Sequence, residues 1–200
     1  PEVPREKTIA YHGSPHDFPK EGRFSDKILS NRSYYDDQGA RELGHKVKLG
    51  DPDAIKQMAK DMVNDLPDNA ALIPVPSRSG EPTYTRTLAD EISRMTGAPV
   101  TDVVRGKSRR SMYDIKQQGM KPPDMEFRKL GDIPADKTPV FIDNVVGSGE
   151  TSRQLLREVP DAQILTHSVD FGSVDPYMHP LGKFTTEAIG TGEGAQAYGH

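Results

Sequence analysis

The sequence predicts an α/β fold in which a parallel sheet carries helices on its faces. Short apolar segments of strand length alternate with segments whose apolar residues repeat at helical spacing. Strands that alternate with helices in this way are typical of parallel sheets. Ligands of such folds bind at the carboxyl ends of the strands, so the turns after the strands are the places to search for a site.

The first well-marked helix is predicted to begin at Asp51 and Pro52, because an acid caps helices well and proline is tolerated in the first turn. Its apolar face comprises Ala54, Ile55, Met58, Ala59, Met62, Val63 and Leu66. A second helix is expected from Thr83 to about residue 95, closed by Gly97. Its inward residues are predicted to be Leu88, Ile92 and Met95.

Strands and the last helix follow from short apolar runs and from a final amphipathic stretch. Residues 1–50 are polar and show little periodicity beyond a short strand predicted at residues 8–11. The core strands are predicted at residues 70–75, 99–104, 139–145 and 162–169. Residues 151–159 predict an amphipathic helix after the third of them.

Composition excludes several classes of function. The chain has 200 residues, 34% of them hydrophobic, a net charge of −4 and no cysteine. Disulfides and thiolate metal sites are therefore excluded, and binding to nucleic acid through bulk positive charge is not expected. No apolar run reaches membrane-spanning length and no signal peptide is recognised, so a cytoplasmic protein without a membrane partner is expected.

The most informative segment is residues 139–152, PVFIDNVVGSGETS. A predicted strand ends at Asp143 and Asn144, and a glycine- and hydroxyl-rich turn then leads into a helix. Backbone N–H groups of such a turn and the positive end of the helix dipole both favour an anion. Residues 147–151, named here the phosphate turn, are therefore predicted to bind phosphate, with Asp143 and Asn144 beside the sugar. A Walker A loop is excluded, because Glu150 and Thr151 follow Gly149 where Lys and Ser or Thr are needed, and a dinucleotide fingerprint needs a third glycine.

This segment resembles the phosphoribosyl-pyrophosphate motif of type I phosphoribosyltransferases, in which a strand runs into two acids and a Thr-Thr-Gly-x-Thr turn. Asp143 matches the first acid and Asn144 replaces the second. In the turn, Gly147 and Ser148 stand for the two threonines and Gly149 and Thr151 match directly, with Glu150 between them. The resemblance implies a three-layer α/β fold with a parallel sheet, flanked here by irregular N- and C-terminal extensions.

A second resemblance lies in residues 73–80, IPVPSRSG, which end the first predicted core strand. ComF-like members of the family carry a Pro-Val-Pro segment there, and the loop after it binds pyrophosphate. Prolines stiffen the loop, and we expect Ser77, Ser79 and Gly80 to expose backbone amides. Arg78 is predicted to offer its guanidinium to a diphosphate oxygen.

Residues 105–128 form a third candidate element, polar and without a predicted core face. They begin with the clustered cations Arg105, Lys107, Arg109 and Arg110. In the family, a long mobile loop at this position closes over the leaving pyrophosphate, so the resemblance implies that Arg109 is catalytic together with Asp143 and Asn144. Gln117, Gln118 and Arg128 are looser analogues of family residues.

The resemblance implies phosphoribosyl transfer to or from a base, a pentosyltransferase reaction. The 5′-phosphate would bind the phosphate turn, the ribose hydroxyls Asp143, and the diphosphate Arg78 with Mg²⁺ held mainly by the substrate. No metal site made of protein side chains is expected. Because an amide at Asn144 adds no negative charge, a non-catalytic nucleotide-binding or regulatory domain remains the alternative.

The two ends of the chain resemble another family. AYHGSPHDF at residues 10–18 and FTTEAIGTGEGAQAYGH at residues 184–200 are similar to ADP-ribosyltransferase domains of phage and mobile-element polyvalent proteins, which bind NAD through a motif matched by His12, Gly13 and Ser14. The domains are accordingly predicted as an extension over residues 1–44, a phosphoribosyltransferase-like domain over 45–175 and a glycine-rich extension over 176–200. A larger parent polypeptide, or part of an ADP-ribosyltransferase, is the further alternative.

Overall fold

A computed structural model describes residues 27–170 of the chain, apart from residues 31 and 36. Within this part, four parallel strands form one sheet in the order β1-β6-β5-β2, and two short antiparallel strands form a separate ribbon, β3-β4. The strands are β1 (Ile28–Leu29), β2 (Ala70–Pro74), β3 (Val104–Arg105), β4 (Arg128–Lys129), β5 (Thr138–Val146) and β6 (Gln163–Val169). The predicted α/β class with a parallel sheet is confirmed.

The helices begin and end largely where caps predict. They are α1 (Gln38–Lys48), α2 (Pro52–Met62), α3 (Tyr84–Thr96), α4 (Met112–Gln117) and α5 (Glu150–Glu158), with a 3₁₀ turn at Val63–Asp65. Asp51 caps α2, because its carboxylate accepts the N–H groups of Asp53 and Ala54 at 3.0 and 3.1 Å. Gly97 ends α3 in the left-handed conformation, with φ of 78°.

The core consists of two apolar clusters on opposite faces of the sheet. Phe141 of β5 lies opposite Ile164 of β6, and both pack with α5 in the first cluster. The next pair, Ile142 and Leu165, packs with α2 and α3 in the second cluster. Neighbouring strand residues point to opposite faces, so both faces of these strands are buried and the strands read as continuous apolar runs.

Three expectations were wrong in detail. Residues 99–104 do not form one strand: Val100 makes a single bridge to Leu72, and the chain then leaves the sheet for the ribbon. Met95 is 37% exposed rather than directed inward. Residues 105–128 were expected to lack a core face, yet Met125 and Phe127 are buried in the first cluster, and two apolar residues are too few to give a periodic signal.

The sequence pattern did not predict β1 and α1. Strand β1 is two residues long and pairs with β6 at the edge of the sheet. Helix α1 buries Ala40 and Val47 among the residues described, too few to give a strong helical repeat. The predicted strand at residues 8–11 and the segments that resemble ADP-ribosyltransferases lie outside the described residues. No helix within the described part is long and apolar enough to cross a membrane.

Candidate functional site

The sheet brings together the two turns that were predicted to bind phosphate. Strands β2 and β5 are parallel neighbours, with Pro74 opposite Ile142. The N–H group of Val75 then donates to the carbonyl of Ile142 at 3.1 Å. Because β5 continues past the end of β2, Asp143 and the phosphate turn lie at the same edge of the sheet as the loop after β2.

The loop after β2 is a compact turn held by its own serines. Ser77 donates its N–H and its hydroxyl to the carbonyl of Glu81, both at 3.0 Å, and Gly80 donates its N–H to the carbonyl of Ser77 at 2.9 Å. Two of the three amides expected to be exposed are therefore already donated within the loop. The Arg78 side chain is exposed, and no carboxylate in the described part of the chain pairs with it. A guanidinium in that state is free to bind an anion.

The same loop is fastened to the start of the 105–128 segment. Gly106 donates its N–H to the carbonyl of Gly80 at 2.9 Å, and Arg109 donates its N–H to the carbonyl of Arg78 at 2.7 Å. Gly80 has φ of 90°, and a Cβ there would overlap the carbonyl oxygen of Gly106. Gly80 is thus required for close approach of two backbones. Sequence reasoning missed Gly106, since only the tertiary contact gives it a role.

Asp143 lies in a mixed electrostatic environment at the carboxyl end of β5. Burial raises the pKa of this carboxyl to about 6, although the N–H of Asn144 and the charges of Lys48 and Arg109 act in the opposite direction. Arg109 is partly buried, which lowers its pKa, while Asp143 and Tyr84 raise it. Burial and Asp143 raise the pKa of Tyr84, so its hydroxyl stays protonated.

Asp143 and Arg109, both expected to be catalytic, thus interact electrostatically across two separate segments. Tyr84 begins α3 and Lys48 ends α1, and sequence reasoning assigned neither of them to the site. A hydroxyl that does not ionise and an exposed amine are binding groups for a sugar and a phosphate. The helical pattern of α3 did not indicate a role for Tyr84, because the groups that act on it, Asp143 and Arg109, lie on other segments.

Asn144 is enclosed rather than presented to a ligand. Its side chain is 2% exposed, and its Oδ1 accepts the N–H of Val145 at 2.9 Å. Its Nδ2 has no hydrogen-bond partner among the described residues. That Asn144 hydrogen-bonds a sugar hydroxyl stays a prediction, and the enclosure of its side chain does not favour it.

The phosphate turn ends at the N-terminus of α5. Gly149 takes φ of 90° as the residue that precedes the helix. Within residues 27–170, the N–H groups of Ser148, Gly149 and Thr151 donate to no protein acceptor, whereas that of Glu150 bonds Ser148 Oγ at 3.3 Å. Unpaired amides at the positive end of a helix dipole favour an anion. Packing does not require a glycine at position 147, because a Cβ there would meet nothing within 4 Å.

Two predicted binding residues of the turn use their side chains elsewhere. The Glu150 carboxylate is buried and accepts hydrogen bonds from Arg153 and Gln154. Burial alone would raise its pKa, but these bonds hold the pKa below its usual value. The Thr151 hydroxyl contacts the sulfur of Met125 at 3.6 Å. Glu150 therefore remains charged but is neutralised by Arg153, and it contributes to the turn through its backbone.

Gln154 attaches the end of the 105–128 segment to α5. Its Oε1 accepts the N–H of Met125 at 2.8 Å, and its Nε2 donates to the carbonyl of Pro123 at 3.0 Å and to Glu150. Helix α5 thus carries the phosphate turn at its start and the neighbouring segment on its side. Sequence reasoning missed Gln154, although its spacing of four residues from Glu150 on one helix would have indicated the pair. No cluster of three metal-ligating side chains occurs in the described part.

Comparisons with known proteins add little to this geometry. No protein-family model matches the chain, and no curated protein matches it significantly in sequence. One solved structure, described as the allosteric regulatory enzyme of purine biosynthesis, is similar with a TM-score of 0.39 and 15% identity. The similarity covers 56% of this chain and 25% of that one.

Proposed function

We propose that this domain has the type I phosphoribosyltransferase fold and binds phosphoribosyl pyrophosphate or the 5′-phosphate of a nucleotide. The observation that carries the proposal is the phosphate turn, where three unpaired amides at the start of α5 lie at the same sheet edge as Asp143 and the loop of Arg78. The amides of the turn suit a phosphate. The Asp143 carboxylate suits ribose hydroxyls, and the Arg78 guanidinium suits a diphosphate.

The binding mode follows from these groups. The amides of Ser148, Gly149 and Thr151 hold the 5′-phosphate, and Asp143 accepts hydrogen bonds from the ribose hydroxyls. Arg78 and Arg109 take the diphosphate, because the backbone bond between them keeps the two residues close. Mg²⁺ would bind mainly through the diphosphate oxygens, as hard oxygen ligands suit it.

Transfer of the phosphoribosyl group is the finer part of the proposal. The C1–O bond to pyrophosphate breaks, pyrophosphate leaves with the electron pair, and a base nitrogen bonds to the resulting sugar cation. The chain would act by positioning and by placing cations beside the leaving group. One carboxylate, Asp143, lies near the sugar where the family has two, since Asn144 is an enclosed amide. This feature favours the alternative, a domain that binds without transfer.

A calorimetric titration with phosphoribosyl pyrophosphate and Mg²⁺ tests binding, and a pyrophosphate-release assay with a panel of bases tests transfer. Arg78→Ala and Arg109→Ala should each weaken phosphoribosyl pyrophosphate binding by about tenfold or more, the usual loss for a charged hydrogen bond. They should change the affinity for ribose 5-phosphate little. Arg94→Ala, in an exposed pair with Glu91 on α3, is the control.

The two assays distinguish a transferase from a domain that binds without transfer. Binding with pyrophosphate release establishes the transferase, and binding without release for every base leaves the regulatory alternative. Absence of binding by the unaltered protein would refute both.

A further inference from the structure

The proposed function does not use a polar network that surrounds one buried histidine of β6. His167 of β6 is fully buried, and its Nε2 is 2.9 Å from Asp61 Oδ2 on α2. Arg32 Nη1 is 3.4 Å from the same oxygen and 3.5 Å from Asp37 Oδ2. The side chains of Asp61, Arg32 and Asp37 are 18%, 24% and 43% exposed, so the cost of burial falls mainly on the ring of His167, which needs partners for its polar atoms.

His167 lies beside Asn144 in the sheet. The register pairs Asp143 with Thr166 and Val145 with Ser168, which leaves Asn144 and His167 as the intervening neighbours. Each has one buried atom without a protein partner among the described residues, Asn144 Nδ2 and His167 Nδ1. A buried polar atom left unpaired costs about 1–3 kcal/mol.

The two unpaired atoms are complementary. Asn144 Nδ2 only donates hydrogen bonds. The Asp61 carboxylate accepts a hydrogen from Nε2, so the neutral ring keeps Nδ1 as an acceptor. One buried water would satisfy both atoms, since water donates and accepts at once and occupies polar interiors of this kind.

We propose that a buried water joins Asn144 Nδ2 to His167 Nδ1, and that His167 is thereby a positioning residue for the phosphate turn. Its role in ligand binding rests on the proposed function, but the joined pair does not. The Oδ1 of Asn144 accepts the N–H of Val145, two residues before the turn. Protonation of Nδ1 would reverse its hydrogen bond to the water, which must then turn to accept from both side chains, and a shift of the Asn144 amide in response would move the N–H of Val145.

Burial, more than the surrounding charges, favours the neutral form of the ring. Burial lowers the pKa of His167, and Arg32 lowers it further. The hydrogen bond with Asp61 and the charges of Asp61 and Asp37 act against them. These are the charged groups that face the ring from α2 and from the segment before α1.

Nitrogen-15 NMR of the imidazole in the full chain tests the joined pair. In the unaltered protein at about pH 7, His167 should be the neutral Nε2–H tautomer, with Nδ1 resonating as a hydrogen-bonded acceptor. Asn144→Asp should convert it to imidazolium, because a neighbouring carboxylate stabilises the charged ring. Asp161→Asn, at an exposed acid, should change nothing. Two results would overturn the proposal. One is an Nδ1 of the unaltered protein that resonates without a hydrogen bond, a measurement that needs no variant to fold. The other is a His167 ring that stays neutral in Asn144→Asp.

The positioning role has its own measurement. In Asp143→Asn, which removes the titration of that carboxyl, the amide signals of Gly147 and Gly149 should move together with the His167 ring signals as the pH is lowered and the ring takes up its proton. His167→Gln should abolish this movement while the fold is retained. Amide signals that stay fixed, or that titrate equally in His167→Gln, would overturn the role. Neither measurement uses a ligand, so failure here and failure of phosphoribosyl binding are told apart.

Discussion

Gly106 donates its backbone N–H to the carbonyl of Gly80 at 2.9 Å, and the two backbones pack so closely that a Cβ on Gly80 would overlap the Gly106 carbonyl oxygen. This contact fixes the loop after β2 against the segment that supplies Arg109. It places two loops from distant parts of the chain at one edge of the sheet. The site therefore depends on backbone proximity as much as on its side chains.

Gly80→Ala should destabilise the protein by more than about 2 kcal/mol. Its φ of 90° strains an alanine by about 1–2 kcal/mol, and the overlap with the Gly106 carbonyl adds to that strain. Gly97→Ala is the matched control, because its φ is 78° but a Cβ there meets nothing within 4 Å. Urea unfolding measures both variants. Equal losses would show that the backbone contact contributes nothing.

Asp143→Asn should stabilise the unliganded protein at pH 7 by about 1–3 kcal/mol. The folded pKa of about 6 lies above the ordinary 3.8, so the folded state binds the proton more tightly than the unfolded state does. The folded state therefore gains stability from Asp143 below about pH 4 and loses it as the pH rises to about 6. Partial exposure of the side chain sets the lower end of the range.

Urea unfolding between pH 4 and pH 7 measures this effect. The advantage of Asp143→Asn over the unaltered protein should shrink steadily as the pH falls. Asp161→Asn, which alters an exposed acid, should track the unaltered protein throughout. A variant less stable than the unaltered protein at pH 7 would show that the carboxylate stabilises the fold.

Asp143→Ala should weaken ribose 5-phosphate binding by about 1–3 kcal/mol, the usual loss of a hydrogen bond to a charged group. This corresponds to roughly 5- to 150-fold in the dissociation constant. Isothermal titration calorimetry on a variant shown to be folded provides the measurement, with Asp161→Ala as control. Unchanged affinity would mean that Asp143 is structural and that the ribose lies elsewhere.

Gln154→Leu should cost at least about 2 kcal/mol and loosen the segment before β4. The change leaves the N–H of Met125 without its acceptor and removes one donor from buried Glu150. Hydrogen exchange at the Met125 amide should accelerate more than exchange in α2. Arg157→Ala, on the exposed side of the same helix, should leave both rates unchanged. A protected Met125 amide in Gln154→Leu would show that another contact holds the segment.

Local signals predicted the central elements well. Asp51 and Pro52 predicted the start of α2, and Gly97 predicted the end of α3. Apolar runs predicted β2, β5 and β6. These signals are local because caps and buried strands depend on neighbouring residues in the chain. The edge strand β1 and helix α1 were not predicted, since each buries few residues. The ribbon β3-β4 was not predicted either, because its two strands are each two residues long and lie far apart in the sequence.

The sequence by itself determined the α/β class, the turn after β5 and the candidate roles of Asp143 and Arg78. These depend on residue types at short spacing, which chain order alone supplies. Only the tertiary structure decided that Asn144 is enclosed, that Glu150 bonds Arg153, and that Tyr84 and Lys48 interact with Asp143. Burial and the pairing of distant segments set those properties, because the field around a side chain comes from whatever the fold places beside it.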